Sequence, residues 1–202
     1  MIASIVKSIT NLFGNKSQRD VKDLWPIVAE INQHFDSYAS LSNDELRNKT
    51  AEFKSRIADY LSDIDQQITA LRHEGDNLLS EEIGRKQDVY DRIDKLEKEK
   101  DQLLEEVLKE LLPEAFALVK ETSRRFSENP ELIVTASQND RELATTEDFV
   151  EIRGDKAVYK NSWDAAGLTV NWNMVHYDVQ LIGGMVLHSG KISEMANPDR
   201  KI

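Results

Sequence analysis

Leu41-Ser42-Asn43-Asp44-Glu45-Leu46-Arg47-Asn48-Lys49-Thr50-Ala51-Glu52-Phe53-Lys54 opens the part of the sequence that settles the fold class. Ser42 and Glu45 stand three apart, the spacing at which a hydroxyl and a carboxylate satisfy each other's backbone N–H groups, so a helix starts here. Its apolar stripe continues through Leu46, Thr50, Phe53, Ile57, Leu61, Ile64, Ile68 and Leu71, in steps of three and four. Gly75-Asp76-Asn77 breaks the pattern. A second series, Val89, Ile93, Leu96, Lys100, Leu103, Val107 and Leu111, resumes it through a strongly charged background. Two long helices joined by a short turn are expected to lie antiparallel as a coiled-coil-like hairpin, with Lys100 a weak point or a register marker on the seam. The stripes read as core, and the flanking charges as a solvated face.

Outward from the hairpin the helical character persists. Pro113 fits the first turn of a new helix reaching about Phe126. On the N-terminal side a helix runs from about Ser17 to Phe35, where Pro26 should kink it or move its start. Ile2, Ile5, Val6, Ile9, Leu12 and Phe13 form one stripe of a further amphipathic helix that Gly14 ends. That helix could dock on an anionic membrane surface, or pack on the molecule or on another copy of it. Residues 127–146 are polar and read as a loop with one extended piece at Leu132-Ile133-Val134. Alternation on both sides of Gly154-Asp155 makes 149–160 a β-hairpin candidate. Arg153-Gly154-Asp155 is taken as turn chemistry, not as an adhesion signal. Trp163, Trp172 and Tyr177 are read as a buried cluster anchoring the hairpin, with an exposed docking surface as the other choice.

The 202 residues suffice for one or two small domains. A formal net charge of -11 repels a phosphate backbone, so nucleic acid is not an expected partner. There is no cysteine, which excludes disulfides and thiolate metal sites and suits a reducing cytosol. His34, His73, His176 and His188 are too scattered for a helical zinc site, and no metal is expected. No apolar run reaches the ~18 residues of a membrane span, and the N-terminus lacks the basic region and cleavage pattern of a signal peptide.

The stretch His176-Tyr177-Asp178-Val179-Gln180-Leu181-Ile182-Gly183-Gly184-Met185-Val186-Leu187-His188 reads as a helix with Asp178 as its N-cap and Gly190 as its stop. Lys191-Ile192-Ser193-Glu194-Met195 follows as a brief strand candidate. This block resembles the start of the first motor domain of the SecA family, the bacterial preprotein translocase ATPases. The segments 41–54 and 111–119 resemble two further family blocks in the same order. Set against the common family pattern, 58–110 looks like an insertion or an extension of two family helices, and 127–173 like an insertion, as in a Bacteroidetes-like form. Four parts follow: N-terminal helices (1–40), a helical region with the long hairpin (41–128), a loop and β-hairpin (129–173), and the start of a nucleotide-binding domain (174–202). The expected architecture is therefore mainly α, with a small β-hairpin and an incomplete P-loop domain.

The resemblance implies that Gln180 reads the adenine edge with its amide. Val175 stands where the family favours arginine, so one adenine-side contact would be missing. The family continues after Met195 into a Walker A loop, whereas here the chain reads Asn197-Pro198-Asp199-Arg200-Lys201-Ile202. Lys201 alone matches that loop's needs. Pro198 has no N–H to donate, Arg200 does not freely take a glycine geometry, and Ile202 has no magnesium-binding hydroxyl. The expectation is a piece truncated at that loop, with no catalytic residue of its own and no hydrolysis alone. Glu194 could serve as a general base but reads as structural.

By resemblance, the intact parent would use ATP or ADP with magnesium to drive secretory preproteins through the SecYEG channel. It would work in the cytoplasm, peripherally on the inner membrane. The competing readings are a stand-alone helical interaction protein, self-associating through the hairpin, and a pseudoenzyme in which Gln180 and Lys201 hold a nucleotide weakly.

Overall fold

The computed structural model describes residues 16–79 and 82–194. The N-terminal stripe 2–13 and Lys201 lie outside them. The described part is mainly α: α1 (Lys16–Tyr38), α2 (Asn43–Asn77) and α3 (Ile83–Glu128) precede a short strand β1 (Glu131–Thr135) and a six-residue helix α4 (Gln138–Leu143). The strands β2 (Val150–Arg153), β3 (Lys156–Lys160), β4 (Ser162–Ala165) and β5 (Leu168–Asn171) follow, and α5 (Asp178–His188) is the last element. The chain divides into two compact units, one of residues Arg47–Leu112 and the other of the segments on either side.

Within Arg47–Leu112 the stripes meet as expected. Leu61, Ile64, Ile68, Leu71, Val89 and Ile93 are buried together, with Ile57, Leu96 and Leu103 packed against them. Cross-helix pairs fix an antiparallel register: Glu74 with Arg85 nearest the turn, then Arg72 with Glu97, Asp65 with Lys100, and Tyr60 with Glu106. Lys100 is thus a register marker, its Nζ 2.6 Å from Asp65 Oδ1, and that bond holds its ammonium above the ordinary lysine range. Thr50, read as part of the stripe, is exposed.

Helix α2 ends at Asn77, within the Gly75-Asp76-Asn77 break read from the sequence, while Gly75 itself stays helical next to Val89 and Tyr90. A second expected break is absent. Pro113 lies inside the continuous helix α3, not at the start of a new one. Its missing N–H cannot bond the Lys109 carbonyl, and that residue is exposed, so water can take the place of the lost bond. Pro26 is likewise internal to α1 and exposed.

The other unit is organised by buried charge. Glu121, fully buried on α3, accepts from Arg124 Nη2 at 2.7 Å and from Arg125 Nε at 2.8 Å. Arg125 also donates to Asn43 Oδ1 (2.7 Å) and to the backbone carbonyls of Tyr38 (3.0 Å) and Leu41 (2.7 Å). One guanidinium therefore satisfies the end of α1 and the turn before α2. At that turn Ser42 N–H donates to Glu45 Oε2 (2.7 Å) and Glu45 N–H to Ser42 Oγ (3.2 Å), the capping box read from the sequence.

The sheet has the order β1-β3-β2, all antiparallel, with Gly154 at φ 65° in the β2–β3 turn. The outer edge of β1 is closed by the start of α2. There Asn43 Nδ2 donates to the Ile133 carbonyl (3.1 Å) and Thr135 N–H donates to Asp44 Oδ1 (2.8 Å). Such cover removes an edge that would otherwise invite pairing. Asp140, buried under the sheet, accepts from Tyr159 Oη at 2.5 Å.

The sequence reading missed the ribbon β4–β5, whose turn holds Ala166 at φ 54° and Gly167 at φ 83°. It also corrects the expected aromatic cluster. Trp163 lies on this ribbon and is 38% exposed, and Tyr177 is 73% exposed, so neither is a buried anchor. Trp172 donates its indole N–H to the Met174 carbonyl (2.9 Å). A two-stranded ribbon offers no second layer in which such rings could be buried.

Candidate functional site

Helix α5 brings the sequence-expected site residue into place. Leu181, Ile182 and Met185 are buried and the helix packs on α1, where Val28 and Ile31 are also buried. Gly184 lies close to α3: a Cβ there would stand 3.2 Å from Phe116 Cε1. The helix ends as expected, with Gly190 at φ 70° and bonds from Gly190 N–H to the Leu187 carbonyl (3.0 Å) and from Lys191 N–H to the Val186 carbonyl (3.2 Å).

The start of α5 differs from the reading. Its N-cap is Tyr177, and Asp178 is the first helical residue. Asp178 is drawn away from a capping role by two side chains distant in sequence. Its Oδ1 accepts from Asn32 Nδ2 of α1 at 3.1 Å and from Lys120 Nζ of α3 at 3.3 Å. Lys120 is 8% exposed; it donates to Asn32 Oδ1 at 2.7 Å and sits 5.0 Å from the centre of the Phe35 ring. The cap is supplied by Gln180, whose Oε1 accepts from Tyr177 N–H at 2.8 Å.

Gln180 is half-buried, one turn from the helix N-terminus. One lone pair of its carbonyl oxygen serves the helix. The other lone pair and the Nε2 donors are the groups an amide needs to pair with the donor and acceptor edge of a base. The N-terminus of α5 is not a phosphate cradle, because Asp178 already places a carboxylate at its positive end. Beside it, His176 Nδ1 is buried with no hydrogen-bond partner among the described residues. The arrangement suits recognition of a neutral polar edge.

Lys201 lies outside the described residues. The strand expected at Lys191–Met195 is not formed over residues 191–194, where Ile192 is 94% exposed. A strand needs a neighbour to pair with, and no described strand lies alongside. Glu194 lies in this irregular segment. Among the described residues no group of three or more His, Asp or Glu is placed to hold a metal ion.

Asn32 and Lys120 were not singled out by sequence reasoning. A signal existed for Lys120, which continues the buried stripe of α3 three residues after Ala117. Asn32 carried none, since its role depends on a residue 146 positions away.

The family model described as SecA DEAD-like domain matches residues 9–199. The protein translocase subunit SecA of Parabacteroides distasonis is 48% identical over 193 residues, covering 96% of this chain and 17% of that relative. Its counterpart in Flavobacterium psychrophilum is 48% identical over 199 residues, 98% of this chain and 18% of the relative. The one in Phocaeicola vulgatus is 49% identical over 194 residues, 96% and 17%. No solved structure matches. These alignments take in nearly the whole chain, so the segments 58–110 and 127–173 are shared with these relatives. The chain spans about a sixth of the length of the curated relatives it matches. With a family match over almost all of its residues, the chain belongs to the SecA family, in its DEAD-like domain.

Proposed function

We propose that this chain is the N-terminal part of an ATP-driven protein translocation motor that moves secretory preproteins through the SecYEG channel. The match over residues 9–199 to relatives named protein translocase subunit SecA carries the reading. In it, Gln180 pairs with the adenine edge, Lys201 lies towards the phosphates, and magnesium comes with the nucleotide in the intact motor. The half-buried amide of Gln180 in the first turn of α5 supports that reading. In this reading residues 197–202 contribute no catalysis by themselves, since Pro198 has no N–H to donate and Ile202 has no hydroxyl for magnesium. The motor would work in the cytoplasm, peripherally on the inner membrane, with the stripe at residues 2–13 docking on the anionic surface. No described helix is long and apolar enough to cross a membrane. Homo-oligomerisation is part of the proposal.

The test is a hybrid in which residues 1–194 of this chain precede the remainder of the Parabacteroides distasonis subunit. It is expected to bind ADP, to hydrolyse ATP, and to drive a preprotein into inverted membrane vesicles bearing the channel. Gln180→Ala is expected to weaken ADP binding. A folded hybrid that neither binds ADP nor hydrolyses ATP would refute the proposal.

A further inference from the structure

The first turn of α5 is held from outside the helix. Lys120 is a largely buried lysine, and a buried charge persists only where its donors are met. Here they meet Asn32 Oδ1 (2.7 Å), Asp178 Oδ1 (3.3 Å) and the face of Phe35 (5.0 Å). Asn32 Nδ2 donates to the same Asp178 oxygen (3.1 Å), so one carboxylate of α5 is tied to both α1 and α3. Two residues further on, Gln180 is turned by its own bond to Tyr177 N–H (2.8 Å). Burial alone would be served by methionine, as it is by the apolar residues Val28, Ile31 and Ala117 buried on the same two helices. A lysine at this place supplies a direction as well as volume.

We propose that Lys120 and Asn32 are positioning residues for adenine recognition. By clamping Asp178 they fix the first turn of α5, and with it the angle at which the Gln180 amide meets a base. This rests on the adenine reading of Gln180 above. Because the clamp acts through the base-reading amide alone, its loss should affect adenine nucleotides and leave guanine nucleotides untouched.

The experiment measures Kd for ADP and for GDP in the full-length hybrid. The variants are Lys120→Met, Lys120→Arg, Asn32→Ala and Gln180→Ala, with tryptophan fluorescence melts to confirm folding. Removing one charge-assisted contact is expected to weaken ADP by about tenfold in Lys120→Met. GDP affinity should not change, Lys120→Arg should restore most of the ADP affinity, and Asn32→Ala should fall between. If Lys120→Met does not fold, Asn32→Ala decides by the same ratio. Equal losses for ADP and GDP would mark the clamp as merely structural and overturn the proposal. So would an unchanged ADP affinity in a hybrid where Gln180→Ala does weaken it. A hybrid that does not prefer ADP to GDP, or whose preference survives Gln180→Ala, would instead remove the adenine reading and this inference with it.

Discussion

Glu121→Gln keeps the shape of a fully buried side chain and removes its charge, which tests whether buried ion pairing organises the unit outside Arg47–Leu112. Three bonds are affected, from Arg124 Nε (2.8 Å), Arg124 Nη2 (2.7 Å) and Arg125 Nε (2.8 Å). Glutamine offers one acceptor where the carboxylate offered two, and turns an N–H₂ towards a guanidinium. Arg125, itself buried, keeps its contacts to Asn43, Tyr38 and Leu41 but loses its counter-charge. Breaking a buried pair in this way costs about 3–5 kcal/mol, a large share of the ~5–15 kcal/mol that holds a domain.

At a urea slope of about 2 kcal/mol/M, the lower end of that range moves the midpoint by about 1.5 M. Trp25, Trp163 and Trp172 all lie outside Arg47–Leu112, so tryptophan fluorescence reports this unit selectively. Burial presses the Glu121 carboxyl upward, but the Arg124 and Arg125 guanidiniums outweigh it and hold it below the usual carboxylate range. A carboxyl lowered in the folded state stabilises above its unfolded pKa and ceases to do so as pH falls through the folded one. The gap between wild type and Glu121→Gln should therefore be widest near neutrality and close towards acid. A midpoint shift below about 0.3 M at neutral pH, or a gap that widens in acid, would refute the reasoning.

Three further outcomes follow from the packing and the charges. In the hairpin, Ile64→Ala should cost about 2–5 kcal/mol by urea-induced loss of helical circular dichroism, whereas Lys100→Ala, which breaks a half-exposed pair, should cost under about 1 kcal/mol. Gly184→Val should lower the stability read by tryptophan fluorescence by about 1–3 kcal/mol, since even a Cβ would stand 3.2 Å from Phe116 Cε1. On the sheet surface, hydrogen bonds from Arg153 hold Glu131 and Glu151 below the usual carboxylate range. NMR titration of the two carboxyls in Arg153→Gln should show both moving up, and the stabilisation they give above the unfolded pKa, lost in wild type as pH falls, should shrink.

Much of the helical architecture was readable because its signals are local. The Ser42–Glu45 box, the stripes of α2 and the second series, and the Gly190 stop each involve residues within a few positions of one another. The failures share a cause as well. Pro113 is forbidden in a helix interior by propensity, yet the carbonyl that its missing N–H cannot bond belongs to a solvent-exposed residue. The ribbon β4–β5 was missed because Trp163-Asp164-Ala165-Ala166-Gly167-Leu168 has no Asn-Gly or Asp-Gly pair to announce the turn; an alanine takes φ 54° in its place.

The sequence by itself determined that this is a mainly helical protein with a long antiparallel hairpin, that Gln180 opens a helix, and that the chain resembles the SecA family. Periodicity, caps and matching blocks are written within short stretches, so they survive without a structure. Only the tertiary structure decided what Asp178 does, because Asn32 and Lys120 reach it from 146 and 58 residues away. The tertiary structure likewise decided that Glu121 and Arg125 are a buried hub rather than surface charges, and that residues 191–194 pair with no strand. Hydrogen bonds and burial depend on which distant groups meet in space, and no local spacing encodes that.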